Sequence, residues 1–122
     1  MARMRIWLAL GALNGLAGVA MGAAAAHLPA LDAASVELVR TAALYQCLHA
    51  LALLGVEALS RERGTLRLGF AGLAFAAGCV AFSGGLYARA FLDLAVGPLV
   101  PAGGTCFLAG WALLFAAAFG RR

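Results

Sequence analysis

Hydrophobic positions along this chain are continuous where a soluble protein would alternate. Four long apolar runs cover residues 6–26, 42–59, 68–88 and 99–120, and charged residues gather at their ends. A bilayer core of ~30 Å needs about 20 apolar residues in helical form. Lipid offers no partner for open backbone groups, so each run is predicted to be a helix. The pattern therefore predicts an all-α protein, an integral membrane four-helix bundle, with residues 1–122 as a single membrane domain.

The breaks between runs carry helix punctuation. Pro29 closes the first run, because proline cannot donate to a helix ladder. Asp32 or Ser35 is the expected N-cap of the second helix, with Glu37 in its first turn. That helix is thus expected to begin outside the bilayer and then enter it. Pro98 and Pro101 open the fourth helix, where a missing N–H costs little.

Composition agrees with the pattern. The 122 residues are 65% hydrophobic and 11% charged, against about 25% charged in soluble domains. All nine basic residues are arginine, and the formal net charge is +4. No basic patch interleaved with aromatics is present, so nucleic acid is not an expected partner. Arg3, Arg5, Arg61, Arg63, Arg67, Arg121 and Arg122 fall on one side of the predicted membrane, and only Arg40 and Arg89 on the other. Arginine-rich short loops mark the cytoplasmic face, so both termini are expected there. Arg3, Arg5, the apolar run and Ala23–Ala26 also resemble a signal peptide. The run exceeds a usual signal core in length and is assigned as a span. Cys47, Cys79 and Cys106 lie singly within apolar segments and read as small buried hydrophobes.

Packing signals are strongest in the first run. Gly11, Gly15, Gly18 and Gly22, spaced four, three and four apart, share a stripe of about 40° on a helix. Small residues at such spacing let helix backbones approach closely in lipid. The partner is either a helix of the same bundle or one from a second subunit. A weaker small-residue face in the third run contains Gly72, Ala76, Cys79, Ser83 and Tyr87.

Polar residues within spans are costly and face the bundle interior. Thr41, Tyr45, Gln46, His49 and Glu57 occupy one broad face of the second helix. His49 falls near the midplane, and Asn14 in the first span at similar depth. Asn14 is expected to approach His49 directly or through a water. Ser83, Tyr87 and Thr105 are expected to join Tyr45 in an outer polar patch. Asn14, Tyr45, Gln46, His49, Ser83 and Tyr87 are the candidate polar cluster, read as helix-to-helix glue or as a proton- or ligand-handling site. Glu57 is expected to reach toward the cytoplasm beside Arg61. No metal-ligand spacing, Glu-x-x-His pair or cysteine cluster occurs. Neither a phosphate loop nor a nucleophile motif occurs. No cofactor, metal or catalytic residue is therefore expected.

Four segments resemble the DUF423 family of small membrane proteins, which includes the eukaryotic transmembrane protein 256. They are GAAAAHL (22–28), YQCLHALALL (45–54), FSGGLY (82–87) and PAGGTCFLAGWALL (101–114). The chain departs from the family's G-A-x-G-A-H-G pattern: Ala25 stands before Ala26–His27, and Leu28 follows. The resemblance implies a four-span bundle in the bacterial inner membrane. It carries Gly22, His27, Tyr45, His49, Ser83, Tyr87, Pro101, Gly103, Gly104 and Trp111 as recurring motif positions. Trp111 fills space between helices, and its N–H requires a partner if buried.

Together these features favour a non-enzymatic structural or accessory subunit that contacts the lipid bilayer, self-associates as a homo-oligomer and meets an unidentified membrane-protein partner. Two alternatives remain. One is an oligomeric transporter or channel for a small solute or proton. The other is a protein that binds a lipid or quinone.

Overall fold

The structure, a computed structural model, describes residues 4–120. Arg3, Arg121 and Arg122, three of the topology-setting arginines, lie outside the described residues. The chain is all-helical, with no strand among the described residues. Its elements are α1 (Ile6–His27), α2 (Ala33–Glu62), α3 (Leu66–Gly78), a π-helical turn (Cys79–Ser83), α4 (Gly84–Leu92) and α5 (Leu99–Ala117). From α3 to α4 the chain runs as one span, Leu66–Leu92, so four helices are long and apolar enough to cross a membrane.

Local sequence sets the boundaries. α1 stops two residues before Pro29, with the Leu28 N–H donating to Ala24 O. Asp32, rather than Ser35, caps α2: its carboxylate accepts the Ser35 N–H at 2.7 Å. Glu37 is correspondingly beyond the first turn and pairs with Arg40 at 3.0 Å. At 30 residues, α2 is about 45 Å long and overshoots the ~30 Å hydrocarbon core at both ends. Thr65 caps α3 through Leu68 N–H. The α4–α5 turn uses left-handed backbone at Asp93 (φ 50) and Gly97 (φ 44). Aspartate tolerates that region and glycine enters it freely.

The spans run up and down, and α2 is central. α1 lies along one flank of it, the third span along another, and α5 against α3 and the π turn. The core is Ala52, Leu53, Val56, Ala71, Phe75, Cys79 and Phe107. The outer surface is apolar: Leu16, Leu51, Val80, Leu108 and Phe115 are all at least 66% exposed. A sheath of this kind is stable only in lipid. Arg5, Arg63, Arg67 and the end of α5 share one end of the bundle, where Arg67 Nη1 reaches Ala116 O at 3.4 Å. The arginine rule makes that end cytoplasmic.

The glycine stripe of α1 packs on α2 of the same chain. A Cβ at Gly18 would sit 2.5 Å from Cys47 Sγ, and one at Gly11 2.8 Å from Leu54 Cδ2. Gly15 and Gly22 face Ala50 and Ala43 at 3.9 Å. Of the two partners the spacing left open, the intramolecular one occupies the stripe. Elsewhere glycines receive aromatic rings. Gly78 faces Phe107, Gly110 faces Phe75, and Gly72 faces Trp7.

Candidate functional site

Two separate constellations occupy the interior, where the sequence suggested one. The first joins spans one, two and three. Tyr87 donates its hydroxyl to Gln46 Oε1 at 2.7 Å. The Gln46 amide donates to Asn14 Oδ1 at 3.0 Å, and Asn14 Nδ2 donates to Leu10 O at 2.9 Å. Next to this chain, the fully buried Ser83 hydroxyl donates to Ala42 O at 2.8 Å. Every link has both a donor and an acceptor. Among the described residues no buried side-chain nitrogen or oxygen is left unpaired. Such interhelical bonds contribute about 0.6–1.7 kcal/mol each, and this set ties the three spans together.

The expected Asn14–His49 contact does not form. Residues 46 and 49 are three positions apart on α2, which turns them about 60° from one another. Gln46 thus points to the α1 and α4 side, and His49 to α3 and α5. His49 heads the second constellation. Its Nδ1 lies 2.7 Å from Tyr45 O. A carbonyl can only accept, so Nδ1 carries the proton. Nε2 is then a bare acceptor, and the Trp111 indole N–H donates to it at 3.0 Å. This pairing makes the imidazole neutral, with both nitrogens satisfied. The His49 ring stacks on Phe107 at 3.6 Å and 7°. Phe75 tilts against it at 5.5 Å.

Beside this cluster a cavity of about 430 Å³ opens sideways between α2, the π turn and α5. Tyr45, His49, Phe82, Thr105, Phe107 and Trp111 contribute walls. Tyr45 is 40% exposed and Trp111 49% exposed, so the opening faces lipid. The Tyr45 ring packs on Phe82 at 4.9 Å. Its hydroxyl has no hydrogen-bond partner among the described residues, whereas Thr105 donates to Pro101 O in its own helix. The expected outer polar patch of Tyr45, Ser83, Tyr87 and Thr105 is thus divided between the two constellations.

The π turn and the Gly103–Gly104 pair shape this groove. Gly103 meets the Phe82 backbone directly, with Phe82 Cα 2.8 Å from where a Cβ would stand. Gly104 has 3.8 Å to the Phe82 ring and opens the cavity wall. π turns recur at functional sites because the extra residue re-aims side chains. Nothing in the sequence signalled this one. Phe75 and Phe107 were not among the candidate site residues either. Of the remaining motif positions, Pro101 lines the groove. His27 is exposed at the far end of α1, apart from both constellations. Glu57 forms no ion pair with Arg61; Glu37–Arg40 is the one ion pair among the described residues. No group of three metal-binding side chains is found among them either.

A four-span bundle sheathed in apolar side chains, with a paired polar interior, defines a small multi-pass membrane protein. The chain belongs to the DUF423 family, described as "Protein of unknown function", which matches over residues 21–104. The inner membrane protein YgdD of Escherichia coli K12 is 37% identical over 93% of this chain and 89% of its own length. The membrane protein SAB0533 of Staphylococcus aureus is 34% identical over 95% and 97%. SSP2132 of Staphylococcus saprophyticus, also a membrane protein, is 33% identical over 95% and 98%. No solved structure gives a significant match. The protein is thus a multi-pass protein of the bacterial inner membrane.

Proposed function

We propose that this protein is a non-enzymatic accessory protein of the inner membrane that holds a planar, ring-bearing amphiphile of the quinone type in the His49 groove. The observation that carries this reading is the groove itself. It opens to lipid, is walled by four aromatic rings, and keeps one unpaired hydroxyl, that of Tyr45, at its side. Its volume of about 430 Å³ is in the usual range for small-molecule sites, about 300–1,000 Å³. Aromatic walls take a flat ring in offset or edge contact, and the hydroxyl would donate to a ring carbonyl. Trp111 and His49 satisfy each other, so they shape the wall without demanding a charged ligand.

The reading needs no second copy of the chain, since α2 already covers the glycine stripe that motivated self-association. A transport reading would rest on a midplane pairing of Asn14 with His49 beside Tyr45, whereas Asn14 and His49 bond to other partners.

The test uses Trp7→Phe protein, in which Trp111 is the one remaining indole, in lipid nanodiscs. A short-chain ubiquinone analogue should quench Trp111 emission saturably, and Tyr45→Ala should weaken that binding about tenfold. Quenching that rises linearly with quinone in the bilayer, unchanged by Tyr45→Ala, would refute the reading.

A further inference from the structure

We propose that the cavity between the end of α2, the start of α3 and the end of α5, where Arg63 and Arg67 lie, binds one anionic phospholipid of the cytoplasmic leaflet. This site is separate from the His49 groove and independent of its reading. The cavity holds about 660 Å³. One part of its wall is apolar, formed by Leu59, Leu66, Leu68 and Leu114. The polar part is formed by Arg63, Arg67, Thr65 and Glu62.

Depth identifies the kind of occupant. Leu59 lies ten residues beyond His49 on α2, about 15 Å along the axis. With His49 near the midplane of a ~30 Å core, Leu59 stands at the boundary between hydrocarbon and headgroups. A ligand there has an apolar body on the membrane side and a polar head on the water side, as a phospholipid does.

Charge then selects among phospholipids. Two arginines, Arg63 and Arg67, line the cavity against one acidic residue, Glu62. Guanidinium groups match phosphate oxygens in a bidentate geometry that ammonium groups do not. Arg67 is held only weakly at present, by one exposed 3.4 Å bond to Ala116 O, so it is free to turn toward a phosphate. Thr65 accepts the Leu68 N–H, while the first N–H groups of α3 have no partner within the helix. They add partial positive charge at the same wall. Basic pockets between spans on the cytoplasmic side suit anionic headgroups, since that leaflet supplies them. Free phosphate would leave the leucine wall unused, and a zwitterionic lipid would leave the charge excess unused.

The experiment is native mass spectrometry of the full chain ejected from nanodiscs of phosphatidylcholine containing an equal fraction of phosphatidylglycerol. One phosphatidylglycerol per chain should be retained in clear excess over phosphatidylcholine. Arg63→Gln and Arg67→Gln should each lower that excess about fivefold, with helicity unchanged. Glu62→Gln keeps both arginines and should raise the excess, which preserves the test if an arginine variant fails to fold. Millimolar inorganic phosphate should not displace the lipid. Equal retention of the two lipids, an excess indifferent to Arg63, Arg67 and Glu62, or displacement by inorganic phosphate would each overturn the proposal.

Discussion

Gly103 and Gly104 are adjacent on α5 and should respond oppositely to alanine. At Gly103 the added Cβ would press on the backbone N and Cα of Phe82, the latter 2.8 Å away. Backbone in the middle of a span cannot rotate aside as a side-chain tip does. Ordinary carbon–carbon contact needs about 3.5 Å, and the Phe82 amide nitrogen is nearer still, so α5 and the π turn must part by at least roughly 0.7 Å. Overpacking of this kind costs about 1–3 kcal/mol. The gain in helix propensity on replacing glycine returns at most ~1 kcal/mol. With that full return the net for Gly103→Ala is a loss of up to about 2 kcal/mol, together with a widened groove between Phe82 and Phe107. At Gly104 the nearest atom is 3.8 Å away, so alanine fits and the change is neutral or slightly stabilising. The assay is thermal unfolding in mild detergent, followed by helical circular dichroism, with both variants beside the parent. Equal stability of the two variants, or a worse Gly104→Ala, would refute the close-contact reasoning.

Three further outcomes follow from the same geometry. Gln46→Leu removes two interhelical bonds at once and should cost about 1–3 kcal/mol, more than Asn14→Leu or Tyr87→Phe alone in the same unfolding assay; a Tyr87→Phe loss equal to that of Gln46→Leu would contradict the relay. His49→Phe keeps a ring on Phe107 but removes the acceptor for Trp111, so Trp111 emission in a Trp7→Phe background should shift, and an unmoved maximum would show that the indole N–H is not bonded there. The Asp32 carboxyl is held below its usual value by the Ser35 backbone N–H and hydroxyl; its capping contribution should be present above about pH 4 and fade as pH falls below that, a trend that Asp32→Asn should abolish in acid-titrated unfolding.

The spans were legible because membrane insertion writes itself into sequence as length and hydropathy. The arginine bias and Pro29, Pro98 and Pro101 supplied direction and boundaries in the same way. The interior was less legible. Depth along each helix follows from residue count, which placed Asn14 and His49 at a similar level. The choice of partner depends on rotation about the axis, and rotation depends on which neighbour packs on which flank. A turn of about 60° between Gln46 and His49 gave Asn14 the glutamine and left the histidine to Trp111. The glycine stripe showed close approach, while the identity of the approaching helix needed coordinates. The π turn was invisible, because one extra residue within a uniform apolar run leaves hydropathy unchanged. The groove depends on that turn through Phe82, so its shape was hidden with it. The cytoplasmic cavity was hidden for another reason: Arg63 and Arg67 had read only as topology markers.

The most direct test of the groove as a ligand site is native mass spectrometry of the protein released gently from its own membrane, with nothing added. The account predicts one ring-bearing apolar adduct per chain, distinguishable by mass from phospholipid and lost in Tyr45→Ala. A chain that carries phospholipid or nothing, identically in the parent and in Tyr45→Ala, would contradict it.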